Sequence, residues 1–204
     1  MDSSTGTLRA LTNCAIGQLD TLRDAVTPQE FGRVIQRLLG LAFETQGCNV
    51  THNAVGVPDL QVEPSGADLR IAIEVKTGNP VVLSNRDLDG VTGHGQLGVV
   101  AALVFPDCKP RWCFVDAANL SPGRFELRRL CRLPQADLTV DVQEAFLRVV
   151  DAVPTRALLD GEALWLWGED QRRQGWPSLG IVGIDRSVAG TLDAAPASLT
   201  GREP

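Results

Sequence analysis

Two arms of alternating apolar and polar residues dominate the pattern of this chain. Gly56-Val57-Pro58-Asp59-Leu60-Gln61-Val62-Glu63 is followed by a polar break, Pro64 to Asp68, and then by Leu69-Arg70-Ile71-Ala72-Ile73-Glu74-Val75-Lys76. A period of two is the signature of half-buried strands. In the second arm Leu69, Ile71, Ile73 and Val75 share one face, which leaves Arg70, Ala72, Glu74 and Lys76 on a face expected to be exposed. A hairpin pivoting near Ser65-Gly66-Ala67 sets Asp59 almost opposite Glu74. Opposed residues of an antiparallel pair have Cβ atoms about 4.5–5.5 Å apart, close enough for two carboxylates to share a divalent cation.

The flanking pattern is helical on one side and mixed on the other. Leu8 to Val26 is mildly amphipathic and predicts a first helix. Thr27-Pro28-Gln29-Glu30 combines a capping Thr, a Pro at the first helical position and a Glu three residues after the cap. Phe31, Val34, Ile35, Leu38, Leu39 and Ala42 then recur at helical spacing to about Gln46, where Gly47 is the stop; Arg33, Gln36 and Arg37 are expected to face outward. Cys48 to His52 predicts a short strand before the hairpin. After Lys76, Thr77-Gly78-Asn79-Pro80 breaks the sheet, and Ser84-Asn85-Arg86-Asp87 is a second capping box, opening a helix that ends between Gly90 and Gly95. Leu97 to Phe105 and Trp112 to Val115 are apolar runs of the kind buried strands show.

The resulting order, helix, three strands, helix, two strands, is an α/β layer arrangement. Beyond Ser121, Phe125 to Leu133 is ambiguous between strand and helix, and Val142 to Val153 is helical. Leu164-Trp165-Leu166-Trp167 with Trp176 predicts an aromatic cluster over the core edge. The chain therefore divides into an N-terminal helical segment (1–26), a core (27–120), a C-terminal extension (121–186) packed on that core, and a small-residue, polar tail (187–204) expected to be mobile.

Composition narrows the partners. The 204 residues carry a net charge of −6, which argues against bulk electrostatic coating of nucleic acid. Between Cys108 and Arg132, however, Lys109, Arg111, Arg124, Arg128, Arg129 and Arg132 outnumber Asp116 and Glu126. Of the 19 basic residues only Lys76 and Lys109 are lysine, a bias towards Arg that points to a GC-rich, bacterial genome. A lysine inside the central motif therefore stands out. The N-terminus resembles no signal peptide and no apolar run spans a bilayer, so a cytoplasmic protein without a membrane partner is expected. The five cysteines include no Cys-x-x-Cys pair and are expected to be buried free thiols.

Pro58-Asp59, fourteen intervening residues, then Glu74-Val75-Lys76 resembles the signature of the PD-(D/E)XK nuclease superfamily. The likeness covers residues 27–116, about half the chain. It implies a restriction-endonuclease-like core, a central mixed sheet flanked by helices, and a metal-dependent endonuclease acting on DNA in restriction, repair or defence. Asp59, Glu74 and Lys76 are then the catalytic set. Asp59, Glu74 and the Val75 carbonyl would ligate Mg2+, with Mn2+ as a substitute, and Lys76 would orient the attacking water and stabilise developing charge. Relatives often add a glutamate from the preceding helix directly after a Phe; here Gly32 follows Phe31. Glu30 is the nearest further metal ligand, although its place in the capping box favours a structural role.

Outside the motif, Gln96 and His94 are candidates for contact with nucleic acid. Arg124, Arg128, Arg129 and Arg132 are either phosphate contacts or solvated surface charges. The competing class is a non-catalytic subunit of the same fold, binding nucleic acid or acting as a scaffold. Fold-level analogy also allows a homodimer, or a partner protein that supplies specificity.

Overall fold

The computed structural model of the chain describes residues 3–53, 56–106, 110–136, 138 and 141–176. Lys109, Cys108 and the tail from residue 187 fall outside the described residues. Two helices come first: α1 (Ser3–Ala25), which begins earlier than its apolar pattern predicts, and α2 (Pro28–Thr45). Thr27 caps α2 as expected, its Oγ1 accepting from the Glu30 N–H while Glu30 accepts back from the Thr27 N–H. Gly47 follows in the left-handed region, φ +81°, which a Cβ-bearing residue adopts only at a cost.

Strands β1 (Asn49–His52), β2 (Leu60–Glu63) and β3 (Ile71–Lys76) form an antiparallel meander. Leu60 pairs with Ile73 and Val62 with Ile71, so the register, carried on by one residue, sets Asp59 against Glu74 as the alternation predicts. The unpredicted strand β4 (Val81–Leu83) leads into α3 (Asn85–His94), capped by Ser84 and Asp87 in the expected box. Strands β5 (Leu97–Val104) and β6 (Arg111–Asp116) complete a five-stranded mixed sheet, ordered β1-β2-β3-β5-β6, in which only β3 and β5 are parallel. After a 3-10 turn (Ala117–Asn119) come β7 (Gly123–Phe125), paired with β4 in a two-stranded ribbon, and the short helix α4 (Leu127–Leu130). The ambiguous stretch is thus both strand and helix, broken at Glu126.

Helices α5 (Asp141–Ala152), α6 (Thr155–Leu158) and α7 (Gly161–Gln174) follow. One sheet face packs Leu60, Val62, Ile73, Val99 and Leu103 against α1, α2 and α5, so the N-terminal helix, the sheet and the C-terminal helices share one apolar core. The other face packs Ala72, Val100 and Ala102 under α3, the β4–β7 ribbon and α4. Helices on both faces of a mixed sheet make this an α/β fold.

Four expectations are corrected. The β3 face carrying Ala72 and Glu74 is buried, because α3 and the ribbon cover it. Arg37 points inward, its guanidinium 3.9 Å from the centroid of the Trp165 ring, because α7 lies across that side of α2. The aromatic cluster closes only in part, with Trp176 buried but about half of Trp165 and most of Leu166 exposed. The thiols are not all free and buried: Cys113 on β6 and Cys131 at the end of α4 are bonded, with Cα atoms 5.4 Å apart, and Cys14 is exposed. Among the described residues no helix is long and apolar enough to cross a membrane.

Candidate active site

The site forms where β2 begins and β3 ends. Asp59 is held from behind, its carbonyl accepting from Gln36 Nε2 at 2.9 Å and from the Asn53 N–H at 3.0 Å. Asn53 Nδ2 donates to the Pro58 carbonyl at 2.7 Å, so the Pro58-Asp59 turn is pinned to α2 and to the end of β1. The Asp59 side chain crosses the hairpin, where Oδ2 accepts from the Val75 N–H at 2.8 Å. In a strand the N–H and C=O of one residue point to the same edge, so the Val75 carbonyl also lies on the Asp59 side.

Glu74 and Lys76 project from β3 onto the face covered by α3. Glu74 is only 5% exposed. Its Oε1 accepts from Lys76 Nζ at 2.8 Å, while no fixed donor reaches the buried Oε2, and the carboxyl is in hydrogen-bonding reach of the Asp87 side chain. Burial, followed by the negative charge of Asp59, pushes the Glu74 carboxyl up to about 7. Burial also raises Asp59, against the hydrogen bond from Val75 and the charge of Lys76. For Lys76 burial acts to lower the pKa, but the hydrogen bonds and negative charges of Glu74 and Asp87 together outweigh it, and the ammonium is held above its ordinary value.

A third carboxylate, Asp87 of α3, completes the cluster; nothing in the sequence pattern beyond its capping role pointed to it. Its Oδ2 accepts from the Ser84 N–H and Oγ at 2.7 and 2.8 Å, and its Oδ1 stands 3.3 Å from Lys76 Nζ. Burial acts to raise this carboxyl, yet the Ser84 hydrogen bonds, the charge of Lys76 and a hydrogen bond with Glu74 together leave it lowered. Gln36 and Asn53 are likewise supporting residues that pattern alone does not reveal, since their role depends on how α2 and β1 meet the turn.

Three carboxylates crowd round one ammonium, with Glu74 buried and in hydrogen-bonding reach of Asp87. An uncompensated buried charge is costly, and a hard cation relieves it. Among the described residues no three His, Cys, Asp or Glu side chains stand in metal-ligating geometry. Mg2+ is commonly bound through one or two carboxylates plus water and substrate phosphate, and Asp59 and Glu74 fit that demand.

The remaining candidates fall elsewhere. Glu30 is committed to its cap through Oε2, which accepts from both the Thr27 N–H and Oγ1, and these hydrogen bonds lower its carboxyl. A Cβ at Gly32 would stand 3.6 Å from Thr77 Oγ1, so α2 does approach the end of β3, but with no side chain there. Glu30→Gln should therefore cost a little stability and leave any metal-dependent activity intact. Urea unfolding and an activity assay on the same sample check both halves, and loss of metal affinity would make Glu30 a ligand.

Gln96 and His94 are not brought to the site. Because β5 runs parallel to β3 with Leu97 beside Ile71, the chain must return along α3 to the start of β3 first. Gln96 Oε1 consequently accepts from the Arg70 N–H, and His94 Nδ1 lies 2.8 Å from the Gly90 carbonyl. Arg70 precedes Glu74 by four residues, about 13 Å of strand.

The arginines lie on the site's side of the sheet. Arg124 faces outward on β7 opposite Val82, and Arg128 and Arg129 are exposed on α4. The Leu127 N–H donates to Asn79 Oδ1 at 3.4 Å, three residues beyond Lys76, which anchors α4 near the site. Among the described residues none of Arg124, Arg128, Arg129 and Arg132 makes an ion pair.

No protein-family model, curated protein sequence or solved structure matches this chain.

Proposed function

We propose that the chain is a Mg2+-dependent deoxyribonuclease, hydrolysing phosphodiester bonds at Asp59, Glu74 and Lys76 on a restriction-endonuclease-like core. The observation that carries this reading is the burial of Glu74 at 5% exposure, set against Asp59 across the hairpin and within hydrogen-bonding reach of the Asp87 carboxyl, with the Lys76 ammonium 2.8 Å from one of its oxygens. Such an arrangement is costly for a purely structural ion pair and useful for a site that takes up a cation with its substrate.

Asp59 and Glu74 would hold the ion, and the Val75 carbonyl lies on the edge from which it could join them. The bound ion supplies Lewis acidity at a phosphoryl oxygen and lowers the pKa of water. Lys76 orients that water by hydrogen bonding and offsets the negative charge that develops on the phosphorus oxygens. Asn53 and Gln36 keep the Pro58-Asp59 turn fixed, so that Asp59 needs little rearrangement to bind.

Arg124, Arg128 and Arg129 extend the site towards the phosphate backbone of DNA. Replacing Arg128 and Arg129 together by Ala should weaken DNA binding at every sequence and reduce the salt slope by about 2, since each phosphate contact contributes about 1. Affinities measured across a salt series decide this, and an unchanged slope would retire the contact.

The second reading, a non-catalytic subunit of the same fold, is favoured by the absence of a side chain at Gly32 and by the acidic net charge. Incubation of plasmid and branched DNA with Mg2+ or Mn2+ separates the two. Nicked or linear product that EDTA abolishes supports the nuclease, whereas retained binding with no product on any substrate supports the scaffold.

A further inference from the structure

We infer that Asp87 is a positioning residue that holds Lys76 over the site through the cap of α3; the inference rests on the nuclease reading of Asp59, Glu74 and Lys76. One carboxylate does two jobs with two oxygens. Oδ2 accepts from the Ser84 N–H at 2.7 Å and from Ser84 Oγ at 2.8 Å, which fixes the orientation of the group. Oδ1 then stands 3.3 Å from Lys76 Nζ.

The need for such an anchor follows from the other partner of Lys76. In the structure described, Nζ donates to Glu74 Oε1 at 2.8 Å. When Glu74 turns its oxygens to a cation, that hydrogen bond is weakened or lost, and a four-carbon stem with free torsions no longer has a fixed end. Asp87 also hydrogen-bonds with Glu74, but its Oδ2 is held by Ser84 in the helix cap, so its orientation survives when Glu74 turns away. It therefore keeps the ammonium within reach of the water and phosphate while Glu74 is otherwise engaged. The short link Thr77 to Leu83 and the N-terminus of α3 become part of the active-site framework, since a shift of α3 would move Lys76 as well.

The test uses Asp87→Asn, which removes the charge but keeps an oxygen that can accept from Ser84, together with Ser84→Ala, which loosens the cap but keeps the charge. Each is made in the wild type and in Lys76→Ala. Asp87→Asn should lower kcat by about 10–100-fold, the cost of a misplaced catalytic group, with KM and calorimetric Mg2+ affinity within about twofold of wild type. Ser84→Ala should lower kcat by less. In the Lys76→Ala background Asp87→Asn should cost nothing further. A tenfold loss of Mg2+ affinity would make Asp87 a ligand instead, and an equal loss of kcat in both backgrounds would make its effect one of folding; either overturns the inference.

A readout independent of turnover comes from the chain's having only two lysines, Lys76 and Lys109. Lysine-selective 13C and 15N labelling should show one side-chain signal displaced by Asp87→Asn and absent in Lys76→Ala, with the other unmoved. If the wild type cuts no nucleic acid, the nuclease reading fails on its own. The lysine spectrum still decides the positioning, and a Lys76 signal unaffected by Asp87→Asn would refute it.

Discussion

Asp59→Ala and Lys76→Ala should both slow DNA cleavage by about 10² or more, and should do so in different ways. Asp59 is a proposed ligand, so its removal is expected to weaken Mg2+ or Mn2+ binding by about tenfold or more, and cleavage with it. Lys76 is a charge partner and not a ligand. Its removal takes away one preorganised donor, an effect of about 10²–10³ on the rate, while cation binding stays as tight as in the wild type or tightens, because a neighbouring positive charge is gone. Calorimetric titration beside single-turnover cleavage separates the two. Lys76→Ala that loses cation binding would mean that Lys76 only holds the carboxylates in place, and the division of roles would fall.

Glu74→Gln should inactivate the protein and at the same time stabilise it. The folded-state carboxyl is raised from 4.5 to about 7 by burial and by Asp59, so the folded protein holds this proton more tightly than the unfolded chain. That contribution to stability is fully present below about pH 4.5 and is lost as the pH rises through 7. At 1.36 kcal/mol per unit the swing is about 3 kcal/mol, most of it gone by pH 8. Gln is isosteric, keeps an acceptor for Lys76 and carries no charge. Without divalent cation the variant should therefore be about 2–3 kcal/mol more stable than the wild type at pH 8, and nearly equal to it at pH 4.5. Added Mg2+ should raise the midpoint of the wild type at pH 8 and not that of the variant. Urea unfolding at several pH values is the check; a variant less stable than wild type at pH 8 would show that the Lys76 ion pair outweighs the desolvation of Glu74.

The parts of this fold that were legible in the sequence are those governed by local rules. Both capping boxes are satisfied within four residues, Thr27 with Glu30 and Ser84 with Asp87. The hairpin register was legible for the same reason: a period of two and a short break leave one pairing that buries Leu60, Val62, Ile71 and Ile73 together, and Asp59 then falls against Glu74.

What was not legible depends on elements distant in sequence. Glu74 has the spacing of a surface residue, and it is buried only because α3 and the β4–β7 ribbon cover its face. Arg37 has the spacing of an outward residue, and Trp165, far along the chain, turns it into a buried one. Cys113 and Cys131 show no pairing motif; they meet because α4 folds back onto β6. Gln96 follows the hairpin closely in sequence yet lies at the opposite end of β3, a consequence of the parallel pairing of β5. Asp87 was visible as a cap and invisible as a partner of Lys76, because a capping residue has a second oxygen whose target only the tertiary structure supplies.

The most direct test of the central claim is single-turnover cleavage of supercoiled plasmid in Mg2+ by the wild type, Asp59→Ala and Lys76→Ala, purified side by side. A metal site at Asp59 and Glu74 with Lys76 as its charge partner should give nicked or linear product from the wild type that EDTA abolishes, and a rate lower by about 10² or more in each variant. Cleavage that survives both substitutions would contradict it.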